Sequence, residues 1–257
     1  MAASRTYKTR GIVLRKTKLA EKDLIVTILG EDGSLVRAVA KGARKPGGSM
    51  AGRLDLFCIA DALIAKGRSL DVVSDARLAK GERHDPFGLE QASCAAVVAE
   101  IVCLVAQEGL EQPRLFDMTK TALDAIGAAE PNGALAAAAA AMLKTMAMAG
   151  FRPSFDECVS CGNAIPLEGG PGKVALSLEG GGVVCGSCCR PADALMYAAN
   201  TLAWAKALLY ARFDDISAME IDNAVLFDVL HFARQWARTH VGRDVKSLDF
   251  VFTGGLF

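Results

Sequence analysis

At 257 residues and 52% hydrophobic side chains, the chain can bury a core without disulfide support. Its 29 basic and 29 acidic residues cancel overall but not along the chain: residues 1–80 hold 16 Lys plus Arg against 8 Asp plus Glu, and residues 81–257 hold 13 against 21. That asymmetry points to a polyanion-binding front attached to a body with another task, rather than to charge scattered over a solvated surface.

The opening MAASRTYKTR leads into no apolar run of signal-peptide length. AAVVAEIVCLVAQ is broken by Glu100, and the alanine-rich run reaches Lys144 after about ten residues, short of the roughly 20 that span a bilayer. The expectation is a cytoplasmic protein with no membrane contact, in which eight cysteines are free or metal-bound rather than oxidised.

The first 80 residues predict strands. RGIVLRK, DLIVTILG, LVRAVAKG, LDLFCIADALIAKG and LDVVSDARLA are apolar, β-branched runs, separated by turn-forming stretches such as Gly30-Glu31-Asp32-Gly33 and Pro46-Gly47-Gly48-Ser49. Within LVRAVAK, alternation sets Leu35, Arg37, Val39 and Lys41 on one face and Val36, Ala38 and Ala40 on the other. About five strands in this length suit a small barrel of the oligonucleotide-binding (OB) type.

Beyond His84-Asp85-Pro86 the period becomes helical, with Pro86 suited to a first turn. Helices are predicted over 89–107, 112–128 and 134–149, the last two closed by the Pro131-Asn132-Gly133 turn and by Gly150. After the cysteine segment, Asp193 is the expected N-cap of a helix reaching Phe213, and Ile221, Val225, Val229, Phe232 and Trp236 mark the core stripe of another.

Between these helices lie two CxxC pairs, Cys158/Cys161 in CVSCG and Cys185/Cys188 in VVCGSCC, with 23 residues between them. KVALSL, Glu179, the glycines at 180–182 and VVC form a hairpin that returns the second pair to the first. Four thiolates at this spacing complete the tetrahedral shell that structural zinc prefers, and such a site is worth on the order of 10 kcal/mol to a segment without its own core. Symmetric spacing favours Cys188 as the fourth ligand, with Cys189 as the alternative. No His lies between Asp85 and Leu230, so neither a mixed-ligand catalytic zinc site nor an HxE deaminase partner can be assembled. Two CxxC pairs flanking a hairpin also differ from a thioredoxin-like dithiol, and Cys58, Cys94 and Cys103 fall in apolar runs expected to be buried.

Other candidate chemistry fails on neighbours. GGPGKV places Val174 where a phosphate loop needs Ser or Thr; Asp214-Asp215 has no accompanying acid or base; His84 and His231 belong to no Ser, His and Asp set. The expectation is a protein without catalytic residues. Basic residues are more informative: Lys41, Arg44 and Lys45 lie on a loop directly after a strand carrying Arg37, and Arg15, Lys16 and Lys18 follow the first strand. On a small barrel these converge into a cationic groove; with only Tyr7 and Phe57 as local aromatics, binding rests on charge more than stacking.

Taken together, GIVLRKTKLAEKDLIVTILGEDGSLVRAVAKGARKP, LDLFCIADALIAKGRSL, the CVSCG to VVCGSCC frame and the closing VGRDVKSLDF resemble the bacterial recombination mediator RecO family over nearly the whole chain. The resemblance implies an α+β architecture: an OB-fold barrel over 1–80, a helical domain over 81–157, a zinc-binding insert over 158–189, and a second helical part over 190–257 with an extended C-terminal segment. It further implies binding of single- and double-stranded DNA, annealing of complementary strands, contact with single-stranded-DNA-binding protein, and work with RecR that assists RecA loading, in the cytoplasm and at the nucleoid during repair. By position, the family's DNA-contacting face falls on Arg15, Lys16, Lys18, Arg37, Lys41, Arg44 and Lys45. A zinc-ribbon adaptor that joins proteins without touching DNA is the alternative; a metal-dependent nuclease lacks the carboxylate and histidine cluster it needs.

Overall fold

The computed structural model describes residues 6–45, 49–80, 87–167, 172–190, 194–216 and 218–257. The chain divides into two compact units, Met1–Pro86 with Ala106–Asp124, and Phe87–Val105 with Ala125–Phe257.

In the first unit, β1 (Thr6–Lys18), β2 (Leu24–Gly30), β3 (Leu35–Ala40), β4 (Ile59–Ala65) and β5 (Asp71–Leu78) close into a barrel of order β1-β2-β3-β5-β4. All pairings are antiparallel except β3 with β5, which runs parallel through Ala38↔Asp71 and Val39↔Val72. One long strand serves both ends of the sheet: β1 pairs with β4 over Thr6–Ile12 and with β2 over Gly11–Lys18. Gly11 sits where the two pairings overlap, and a Cβ there would run into the Leu29 carbonyl. A bulge between Val13 and Arg15 then bends the strand onward.

The barrel interior is narrow, and small side chains fill it: Ala38, Ala40, Ala60, Ala62 and Ala76 alternate with Val13, Val26, Ile28, Ile64 and Val73. The alternation expected in β3 is present, with Ala38 and Ala40 buried and Arg37 exposed. A short helix, α1 (Ser49–Arg53), lies between β3 and β4 and packs Met50 against this core. The strand expected from Leu54 begins only at Ile59: residues 54–58 form the turn that carries Phe57 at φ 67°, in the left-handed region. Pro46, Gly47 and Gly48 lie outside the described residues, as do His84, Asp85 and Pro86.

The second unit is helical. It contains α2 (Leu89–Val105), α4 (Pro131–Met148), α5 (Ala199–Tyr210), α6 (Phe213–Ile216), α7 (Asn223–Val241) and α8 (Ser247–Thr253); α3 (Pro113–Ala128) begins in the first unit and ends in the second. Pro131 opens α4 at its first turn, where the missing N–H costs nothing. Apolar over most of its length, α4 packs against α2, α5 and α7, and its run Ala134–Ala141 is buried and contains no side chain larger than leucine, so neighbouring backbones approach closely. Asp222 caps α7 by accepting the Ala224 N–H at 2.8 Å, and Gly242 ends it in a left-handed conformation. Of the predicted stripe, Val229, Phe232 and Trp236 are buried in α7, while Ile221 is buried just ahead of it.

Two further expectations are corrected. Residues 195–198 are not helical: β8 (Leu195–Ala198) adds to β6 (Lys173–Ser177) and β7 (Gly182–Val184) in a sheet of order β7-β6-β8, and α5 starts only at Ala199. Asp193 itself lies outside the described residues. The closing segment is not extended over 247–253 but helical, because Glu100 accepts both the backbone N–H and the hydroxyl of Ser247, each at 2.7 Å. The charge that interrupts the apolar run of α2 thus anchors the start of α8. Among the described residues no helix is long and apolar enough to cross a membrane.

Candidate metal centre and nucleic-acid interface

The first cysteine knuckle is a tight turn in which Gly162 N–H bonds the Cys158 carbonyl and Cys158 N–H bonds the Asn163 carbonyl, both at 2.8 Å. Gly162 supplies the left-handed residue the turn requires, at φ 75°. The β6–β7 hairpin is held to this turn by Val159 N–H on the Val183 carbonyl and Val183 N–H on the Ser154 carbonyl, each at 3.0 Å. Gly182 permits that approach, since a Cβ there would meet the Ser154 carbonyl. The second knuckle is one helical turn, with both Cys188 and Cys189 N–H groups on the Cys185 carbonyl.

These contacts bring the sulfurs of Cys158, Cys161, Cys185 and Cys188 within 4.8 Å of one another, with 3.6 Å between Cys161 and Cys185. Four sulfurs bound at about 2.3 Å around a tetrahedral ion stand roughly 3.8 Å apart, so the donor set matches in number, chemistry and approximate spacing what zinc takes. Cys185 N–H donates to the Cys158 sulfur at 3.3 Å, and this bond above all pulls the Cys158 thiol down to about 6, against the opposing effect of burial. Asn163 N–H favours the thiolate of Cys161, but the sulfurs of Cys158, Cys185 and Cys188 outweigh it and push that thiol up to about 12. Crowded thiols cannot all ionise beside one another without a cation, which is what a bound metal supplies. Elsewhere, Cys94 is buried and pushed up to about 12 by that burial, whereas Cys58 and Cys103 are half-buried rather than fully buried as expected.

The basic residues of the barrel separate by geometry. Arg15 and Arg37 both stand opposite Thr27, so two guanidinium groups share one outer face across three strands, and both are exposed. Lys16 is opposite Val26, which is opposite the core residue Ala38; the bulge has turned it to the inner parity, where it reaches Asp55 at 2.6 Å from the barrel mouth. Lys18 ends β1 in solvent. Arg44 is exposed, yet its guanidinium donates to the carbonyls of Ala20 and Glu21 at 3.2 and 3.0 Å, and its N–H bonds the Lys22 carbonyl. Together with Gly42 N–H on Asp23, this ties the β1–β2 loop to the segment after β3. A shallow cleft of about 440 Å³ results, lined by Lys22, Lys41 and Lys45 together with Glu21 and Asp23. Among the described residues Arg15, Lys18, Arg37, Lys41 and Lys45 form no ion pair, so five of the seven expected cations are uncommitted while Lys16 and Arg44 hold the scaffold.

Lys22 belongs to this group and was not expected. Glu21 and Asp23 flank it and cancel it in any count of charge along the chain; the folded loop sets it in one cleft with Lys41 and Lys45, where Asp23 is engaged by the Gly42 N–H and Glu21 also lines the wall. Near Arg37 a second hollow, of about 320 Å³, mixes Lys8 and Lys66 with Asp71 and Glu108. Tyr7 is spent there: its hydroxyl bonds Asp71 and its ring lies 4.6 Å under the Lys66 ammonium. His231 stacks on Phe252 at 4.0 Å, and Asp214 and Asp215 sit in α6, consistent with structural roles for each.

Comparison with known proteins matches both parts of the chain. The family model for the recombination protein O N terminal covers residues 1–81, and that for its C terminal covers residues 86–249. The chain is similar to the DNA repair protein RecO of Bifidobacterium longum subsp. infantis, 31% identical over 248 residues, covering 95% of this chain and 98% of the relative. It is likewise similar to that of Frankia casuarinae, 32% identical over 253 residues with 95% and 98% covered, and to that of Nostoc punctiforme, 37% identical over 189 residues with 71% and 62% covered. A five-stranded barrel, a helical unit with a four-cysteine cluster, and matches along nearly the whole chain place this protein in the RecO family of DNA repair proteins.

Proposed function

We propose that the protein is a non-enzymatic recombination mediator that binds single- and double-stranded DNA through its barrel, anneals complementary strands, and with RecR assists RecA loading onto strands coated by single-stranded-DNA-binding protein. The observation that carries this reading is the set of uncommitted cations, Arg15 and Arg37 on one barrel face with Lys18, Lys22, Lys41 and Lys45 at its end. Cations arranged in this way neutralise phosphates without reading bases, so affinity falls steeply with salt. Annealing follows from the same physics: a cationic surface that holds two strands loosely lowers their repulsion and raises their local concentration. The four cysteines hold zinc in a structural role, bracing the hairpin, and the protein works in the cytoplasm and at the nucleoid.

The test is a salt-titrated binding and annealing assay comparing the full-length protein with a Lys41→Glu, Lys45→Glu double variant. Binding and annealing that weaken together with rising salt, and drop at least tenfold in the variant, support the proposal. Annealing undiminished at high salt, or a variant that binds normally, overturns it; partner capture without any oligonucleotide binding favours the adaptor alternative.

A further inference from the structure

The cysteine element holds five thiols, four converging and one, Cys189, set beside them. Protection among the four is unequal. Cys158 is buried and receives the Cys185 N–H on its sulfur, whereas Cys161 is exposed and Cys185 and Cys188 are half-exposed. Clefts of about 580 and 510 Å³ open on the second knuckle; Cys188 and Cys189 line the first, Cys185 and Cys189 the second. A small polar oxidant therefore reaches three of the four converging sulfurs. The 3.6 Å contact between Cys161 and Cys185 joins one knuckle to the other, so a bond there would use one ligand from each pair. Cys189 is badly placed to compete through its neighbour Cys188: adjacent Cα atoms lie about 3.8 Å apart, below the roughly 4.4 Å a relaxed disulfide spans.

We propose that Cys161 and Cys185 are a peroxide-sensitive pair whose oxidation to a disulfide opens the metal site. The inference rests on the metal reading above, and the contact between the two sulfurs and their access to solvent carry it. The Cys161 thiolate attacks one oxygen of hydrogen peroxide; an S–O bond forms as the O–O bond breaks, and hydroxide leaves to take a solvent proton as water. The Cys185 thiolate then attacks the sulfenic sulfur, forming the S–S bond and expelling a second hydroxide, which is protonated to water. Two thiolates, one peroxide and two protons become one disulfide and two waters; sulfur is oxidised and peroxide oxygen reduced. Only Cys158 and Cys188 remain as ligands, too few for a closed tetrahedral site, and the β6–β7 hairpin loses its clamp while the buried helices keep theirs.

The experiment uses purified full-length protein and a Cys189→Ser variant. Zinc content is measured first; both proteins are then treated with hydrogen peroxide while a chelating dye follows metal release and mass spectrometry maps disulfides. The expected result is about one zinc per chain at the start, released in step with a Cys161 to Cys185 disulfide in both proteins and rebound after dithiol reduction. Retention of zinc with all four thiols intact, or a disulfide that involves Cys189, overturns the inference. Protein that carries no zinc before treatment removes the metal reading instead, and the disulfide map still decides the pairing.

Discussion

The hydroxyl of Tyr7 donates a 2.7 Å hydrogen bond to the Asp71 carboxylate, joining residues 64 apart at the starts of β1 and β5. Burial, with the hydrogen bond and charge of Asp71, raises the phenol above its ordinary value. Burial works to raise Asp71 as well, but the Tyr7 hydroxyl, the Gly67 amide and Lys66 outweigh it and hold the carboxyl below its ordinary value. The two shifts set opposite limits. The raised phenol contributes stability fully present below about pH 10 and lost as pH rises further; the depressed carboxyl contributes stability present above about pH 4 and lost on acidification. Tyr7→Phe is expected to cost about 1 kcal/mol at neutral pH, because the group is partly solvated, and to remove the alkaline limb. Urea melts of the two proteins from pH 4 to pH 11 check this; parallel curves would show that the bond carries no linkage.

The barrel predicts unequal roles for adjacent cations. Arg15 shares its face with Arg37, whereas Lys16 is engaged by Asp55. Arg15→Gln should weaken oligonucleotide binding and reduce the magnitude of the slope of log affinity against log salt by about 1, while Lys16→Gln leaves that slope unchanged. Equal losses in both variants would mean that the Asp55 pair opens when DNA binds.

Lys144 caps a helix end in the second unit. Its ammonium donates to the carbonyls of Leu209 and Ala211 at 2.8 and 2.7 Å, at the C-terminus of α5, and lies 5.6 Å from the Phe213 ring. Burial lowers its pKa, yet two hydrogen bonds and the helix end favour the cation. Lys144→Met keeps the stem and deletes the donors; a loss of about 2 kcal/mol is expected in thermal or urea melts, with Lys144→Arg recovering part of it.

Acid should act on α7 and α8 through one ion cluster. Arg234 binds Asp244 through two hydrogen bonds at 2.7 and 2.6 Å and reaches Asp249 at 2.8 Å. The Arg234 hydrogen bonds hold the Asp244 carboxyl below its ordinary value, so this stability is present above about pH 4 and lost as pH falls through the folded value. Asp244→Asn should lower the melting temperature at pH 7 by a few degrees and make it less sensitive to pH in the acid range.

Metal removal separates bracing from DNA contact. Stripping the cysteines with a strong chelator should increase proteolysis across residues 158–189, because the element has little apolar core of its own, and leave oligonucleotide affinity of the barrel within about twofold. Loss of binding in proportion to metal loss would show that the cysteine element touches DNA.

Local chemistry made much of this protein legible from its residues. Two-residue alternation in LVRAVAK, the long, mostly apolar stretches of α2 and α4, and the CxxC spacing each reflect a constraint acting within a few positions, and the structure honours them. Contacts between distant residues decided the rest. Leu195–Ala198 became a strand because β6 offers it an edge, and the closing segment coiled because Glu100 waits for Ser247. A single bulge between Val13 and Arg15 decided that Arg15 faces outward and that Lys16 turns toward Asp55, since one extra residue inverts the faces that follow it. Lys22 joined the cationic end, and Arg44 partly left it, only once the β1–β2 loop had folded against the segment after β3. The residue types and their spacing determined which charges and sulfurs the chain possesses; strand register and loop docking decided which of them face the same solvent.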